Sequence, residues 1–261
     1  MRTTDMADEL FSGTAQPLPA GVRLATAKRG GVTVTRVEIT REGLARPRGR
    51  YVTLEMPSVS VLDERDTDVI ETGAAELRAL LPPEGPVLVL GIGNRRVTAD
   101  ALGPRTAQKI LVTMGPQHTL PVRGIRPVAA LAPGVSGDTG LTLRQLAAAM
   151  VDAVRPAALI CVDSLCSAEA ARLGRTIQFS DTGLHPADAR HARHLDAAAL
   201  GVPVIAAGIP TLMDADEGAD LVLTPRALDS VIAHGSALLA GILNQALQPR
   251  LSVAQLCWLT G

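Results

Sequence analysis

The stretch Val87-Leu88-Val89-Leu90-Gly91-Ile92-Gly93-Asn94-Arg95-Arg96-Val97-Thr98-Ala99-Asp100-Ala101-Leu102-Gly103-Pro104 decides the fold class. Its apolar opening reads as a buried strand. Gly91-Ile92-Gly93-Asn94 then turns the chain at a place where backbone comes close to something. A lone acid, Asp100, follows. Gly103-Pro104 opens a helix, expected over 104–114, with proline in the first turn, where a missing N–H costs nothing. Strand, loop, carboxylate and helix form the repeating unit of open α/β sheets, which keep their sites at the carboxyl ends of the strands.

The same pattern extends outward. A helix is expected from Asp66 to the Pro82-Pro83 stop, since Val69, Ala74, Leu77 and Leu80 recur at helical spacing. Apolar strands are expected over 127–132, over 158–162 ending on Asp163, over 175–179 and over 202–208, with a helix over 143–154. Thr224-Pro225 reads as an N-cap and first helical residue of a helix reaching about Leu247. Before residue 60, segments 32–39 and 51–56 alternate in the β manner and are expected to pair antiparallel beside the main sheet. The sum is a three-layer α/β sandwich with a mostly parallel central sheet, helices on both faces and a small antiparallel strand pair near the N-terminus. Residues 1–30 read as a flexible leader or pro-segment, and 31–261 as one domain.

Composition narrows the function. Aromatic residues make up 2% of the 261 positions, so the core is built from Ala, Val, Leu and Ile. The formal charge of -1 favours neither nucleic acid nor an anionic membrane. Among the basic residues only Lys28 and Lys109 are lysines, a bias of the coding sequence rather than of phosphate recognition. Cys161, Cys166 and Cys257 do not make a disulfide framework, and no second Cys/His pair supplies zinc spacing. The N-terminus lacks the apolar region of a signal peptide, and 197–213 is broken by Pro203 and Pro210, so a cytoplasmic protein without a membrane span is expected.

Several chemistries are missing by motif. No Gly-x-x-x-x-Gly-Lys-Ser/Thr is present, Arg96 stands where a dinucleotide fingerprint has its third glycine, and neither Gly-x-Ser-x-Gly nor His-Glu-x-x-His occurs. Acids at strand ends remain. On adjacent parallel strands, Asp100 and Asp163 would share one edge, where two close carboxylates hold one proton between them and can activate water. The alternative is that each acid only caps the turn behind it. Asp181-Thr182-Gly183 echoes the triplet of pepsin-like proteases, or is a plain turn. His185, His191 and His194 could bind a metal, or belong to a solvated basic loop with Arg190 and Arg193.

Taken in order, the motifs resemble those of the spore germination proteases. The resemblance runs through Arg2-Thr3-Thr4-Asp5, Tyr51-Val52-Thr53-Leu54-Glu55, Gly91-Ile92-Gly93-Asn94 with Thr98-Ala99-Asp100-Ala101-Leu102-Gly103-Pro104, Val162-Asp163-Ser164-Leu165, Thr176 to Pro186, Gly201 to Thr211 and Leu223-Thr224-Pro225. It implies an atypical aspartic endopeptidase of the spore core that degrades small acid-soluble spore proteins at germination. It also implies a zymogen, a homotetramer and no metal or other cofactor. Asp100 and Asp163 match its essential aspartates, with Gly91, Gly93, Asn94, Asp181 and His185 in supporting or substrate-binding places. The chain departs from the family pattern at 187–193, after Met213-Asp214-Ala215, and in having only Met1 before Arg2.

Gly-x-Gly-Asn also resembles the hydrogenase maturation proteases. There Asp100 and Asp163 would be nickel ligands and His185 a conceivable third, for a nickel-dependent protease that trims a C-terminus. A catalytically inactive binding protein on the same fold is the third reading.

Overall fold

The computed structural model describes residues 3–11, 17–62, 65–115, 124–185, 194–215 and 221–260. Nine strands alternate with helices: β1 (Val22–Arg29), β2 (Val32–Ile39), β3 (Gly49–Glu55), α1 (Thr67–Leu80), β4 (Val87–Gly91), α2 (Leu102–Ala107), β5 (Val128–Leu131), α3 (Ser136–Thr139), α4 (Leu143–Val154), β6 (Ala158–Cys166), β7 (Thr176–Ser180), α5 (Ala197–Leu200), β8 (Val204–Asp214), β9 (Val222–Leu223), α6 (Leu228–Leu247) and α7 (Val253–Thr260). They form one sheet in the order β1-β2-β3-β7-β8-β6-β4-β5, with β9 on β8. The centre of the parallel block is β4, paired parallel to β5 and β6, and β6 is in turn parallel to β8.

Every residue of β4 is buried, as its apolar run requires. Val87 and Val89 pack with α1 and α6 residues such as Ile70, Leu77 and Leu239, while Leu88 and Leu90 pack on the opposite face with Ala147 and Leu143 of α4. Helices therefore cover both faces, and the α/β sandwich is as expected. The 20-residue α6 is long and apolar enough to cross a membrane, but most of it is buried inside the fold.

The strand expected over 202–208 runs instead from Val204 to Asp214, α7 was not expected, and five further departures bear on the sheet and the site. The antiparallel part is larger than a strand pair: β1, β2 and β3 run into β7, which itself joins β8 antiparallel, so the parallel block is limited to four strands. Part of the expected leader is strand β1, and residues 3–11 are anchored. Met6 and Ala7 are fully buried, Asp8 accepts from Thr53 Oγ1 (2.9 Å) and Arg172 Nη1 (2.6 Å), and the Ala7 amide donates to Gln178 Oε1 (2.7 Å). α2 stops at Ala107 rather than near 114, because the Asn244 side chain takes the Lys109 carbonyl and the Leu111 amide. α6 begins at Leu228, not at Pro225; the amide of Leu228 closes a turn on the Pro225 carbonyl. β6 does not end on Asp163 but runs to Cys166.

Candidate active site

The site is built where β4 stops. Its last pairing sets Gly91 opposite Val162, and the Ile92 amide closes the ladder on the Val162 carbonyl (2.8 Å). In a parallel strand the N–H and C=O of one residue point to the same neighbour. Val162, Ser164 and Cys166 therefore all face the flank that β4 vacates. Four residues later that flank is taken again. The Asp5 amide donates to the Cys166 carbonyl (2.8 Å), and the Cys166 amide donates to Asp5 Oδ2 (2.8 Å). Between Ile92 and Asp5 the described residues leave a gap of roughly 13 Å along the strand, centred on Ser164.

Asp163 sits at this gap. It is 5% exposed, and its Oδ1 accepts from the Ser164 amide (2.8 Å), a group aimed at the vacated flank. The carboxylate is thus drawn toward the Gly91–Asn94 loop. Ser164 Oγ beside it is buried and has no hydrogen-bond partner among the described residues.

Asp100 reaches the same end of the sheet on a short 3-10 turn, Thr98–Asp100, that packs against β6. Thr211 Oγ1, fully buried on β8, donates to the Ala99 carbonyl (3.1 Å) and pins the turn. The Asn94 amide donates to Asp100 Oδ2 (2.7 Å), which locks the carboxylate to the loop.

Glycine is required here by contact. A Cβ on Gly91 would lie 2.1 Å from the Gly103 carbonyl oxygen, and one on Gly103 would lie 2.3 Å from both the Ile92 and Val162 oxygens. This close packing draws α2, and the turn that leads into it, onto the ends of β4 and β6. Gly93 has φ +123°, and a Cβ there would meet the Asp100 carbonyl oxygen at 2.0 Å. The loop that was read as a backbone approach is therefore closed on its own chain. The amides of Ile92 and Asn94 are already committed to Val162 and Asp100.

The other expected site residues lie elsewhere. β7 is antiparallel to β8, with Gln178 level with Gly208, which is itself level with Asp163. Asp181, three residues on, is displaced toward the amino ends of the parallel strands by roughly 10 Å. Its carboxylate accepts from the Arg50 amide and from Arg50 Nε, both at 2.7 Å, and so fastens the end of the β3–β7 ladder. His185 follows in the same loop, where its Nε2 meets the Thr182 carbonyl (2.8 Å) and its Nδ1 meets His194 Nδ1 (3.3 Å). Asp181 and His185 thus serve the turn, not the Asp163 gap, and His185 does not join Asp100 and Asp163. Among the described residues, no group of three or more His, Cys, Asp and Glu side chains is arranged to hold a metal. His191 and the departures at 187–193 and 216–220 lie outside the described residues.

Sequence reasoning gave Thr211, Ser164 and Asp5 no role. A polar residue at an inward position of an apolar strand was the available signal for Thr211. Asp5 stood only within the Arg2-Thr3-Thr4-Asp5 motif, and its partner on β6, Cys166, lies 161 residues away.

Burial pushes the Cys166 thiol up to about 12, with Asp5 and Asp214 adding to the effect, and it pushes the Cys161 thiol up as well. Neither is an activated nucleophile.

The germination protease family model matches residues 6–217. The germination protease of Clostridium perfringens strain 13 is 32% identical over 278 residues, covering 84% of this chain and 86% of the relative. That of Caldanaerobacter subterraneus subsp. tengcongensis is 40% identical over 210 residues, covering 75% and 64%. Among solved structures, the [NiFe] hydrogenase maturation protease HycI from Thermococcus kodakarensis KOD1 is similar over 66% of this chain and 98% of that one, with 16% identity and a TM-score of 0.43.

Proposed function

Because the chain belongs to the germination protease family, we propose that it is an endopeptidase that degrades small acid-soluble spore proteins in the germinating spore, with Asp100 and Asp163 as its catalytic pair. The observation that carries the reading is the junction itself. The Thr98–Asp100 turn is seated on β6 and β8 beside the flank toward which the Asp163 carboxylate is drawn.

The chemistry follows from two carboxylates at one edge. The ionised member takes a proton from a water held between them. The protonated member polarises the scissile carbonyl and then protonates the leaving amine. An extended substrate suits the gap at Ser164, where no strand among the described residues flanks β6 between Ile92 and Asp5. Spore proteins that are disordered when free would offer such segments. The oxyanion would draw on donors other than the amides of Ile92 and Asn94, which are already spent. Family membership also carries the expectations of a homotetramer and of N-terminal self-processing, which sedimentation and N-terminal sequencing test directly.

A gel assay of the full chain with a purified small acid-soluble spore protein tests the reading. Discrete fragments support it. An intact substrate that still binds would favour the inactive binding protein instead.

A further inference from the structure

The loop after β7 holds a feature that the peptidase site does not use. Leu184 and Leu195 form an isolated antiparallel bridge, closed by the Leu184 amide on the Leu195 carbonyl (2.8 Å) and by the Leu195 amide on the Leu184 carbonyl (3.1 Å). Their side chains enter the core beside Leu88 and Leu159. The next pair outward, His185 and His194, therefore falls on the opposite, outer face, where cross-strand side chains stand closest. The two Nδ1 atoms are 3.3 Å apart, and the rings meet edge-on with centroids 5.4 Å apart.

We propose that His185 and His194 form a two-histidine site for a zinc-like divalent cation, which ties the two residues together beside the Leu184–Leu195 bridge. Two nitrogens bound to one tetrahedral zinc at about 2.0–2.1 Å stand about 3.3 Å apart, which is the spacing observed. The tautomer of His185 is already set for ligation. Its Nε2 donates to the Thr182 carbonyl (2.8 Å), and Asp196 Oδ2 lies 3.9 Å from the same nitrogen, so the lone pair is left on Nδ1. A backbone carbonyl and a carboxylate behind a ligating imidazole form the usual outer shell of a metal-bound histidine. His194 is exposed and can carry its own proton on Nε2. The nearby Arg46 charge is engaged by the Thr4 and His185 carbonyls and by Asp5. Imidazole donors select zinc, copper or nickel over magnesium and calcium. Water completes the coordination, since the described residues supply no third ligand.

Zinc titration of the full-length protein, read by a competing chromogenic chelator and by thermal melting, tests the site. Wild type is expected to bind one equivalent and melt higher with zinc. His194→Gln is expected to weaken binding at least about tenfold and abolish the shift, while keeping its fold by circular dichroism. His185→Gln should do the same. His234→Gln, whose ring contacts the Leu62 carbonyl instead, should bind as wild type. Absence of zinc binding by wild type, or unchanged binding by His194→Gln, overturns the proposal. A misfolded His185→Gln leaves His194→Gln to decide.

Discussion

Two ends of the sheet carry acids and polar loops, and they are built differently. At the carboxyl edge, Asp100 and Asp163 are brought in by backbone. Gly91 packs on Gly103, the Ile92 amide caps Val162, and the Thr98–Asp100 turn hangs from Thr211. At the loop after β7, Asp181 is brought in by a side-chain partner, since both its oxygens serve Arg50. The first arrangement holds each carboxylate by a backbone amide, that of Asn94 for Asp100 and that of Ser164 for Asp163. The second uses its carboxylate as a fastener. From sequence the two looked alike, an acid following an apolar run, and only the partners in the fold tell them apart.

Substitutions should separate the two ends. The largest effect is expected from Asp163→Asn, which keeps size and burial but removes the ionisable group. Peptide hydrolysis should fall at least about 100-fold with the melting temperature nearly unchanged, as steady-state cleavage and calorimetry would show. Gly103→Ala comes next. Its Cβ meets two backbone oxygens at 2.3 Å, so roughly 1–3 kcal/mol of stability or more should be lost, along with activity, in denaturant titration. Asp181→Ala should cost no more than about 1 kcal/mol, because Arg50 is half exposed, and should leave kcat/KM within about twofold of wild type. Activity that collapses in a folded Asp181→Ala protein would return Asp181 to the catalytic group.

Alkaline stability offers a further test. The Cys166 thiol is held protonated by burial up to about 12, while in the unfolded chain it ionises near 8.5. The native state therefore binds the extra proton across that interval, and stability falls as pH rises from about 8.5 toward 12. Tyr51, raised mainly by burial, acts in the same direction at higher pH. Cys166→Ala should flatten the decline in urea midpoints between pH 8 and 11.

Much of this was legible. β4 is a continuous apolar run because both its faces are covered, and α1 and α4 obey helical spacing within a residue of expectation. What was not legible depends on distant partners. β1 exposes nearly all its side chains, so no alternation announces it, and it is held by its backbone ladder to β2. Its Gly30-Gly31 connection was nonetheless a hairpin signal. Helix α7 was announced by Ser252 and Gln255, each of which caps the other's amide. The extension of β6 past Asp163 has no local sign. It exists because Asp5 and Leu212 supply partners on its two flanks. The sequence argument for pairing the two aspartates took Asp163 as the end of its strand; in the structure Asp163 lies inside β6, and what ends there is β4.

The most direct measurement is a double-mutant comparison of hydrolysis rates for Asp100→Asn, Asp163→Asn and the pair. If the two carboxylates share one proton and one water, each single substitution removes the function of both. The double variant should then be no slower than either single variant. A single variant that cleaves at the wild-type rate, or losses that multiply in the double variant, would show that Asp100 and Asp163 do not act as one catalytic unit.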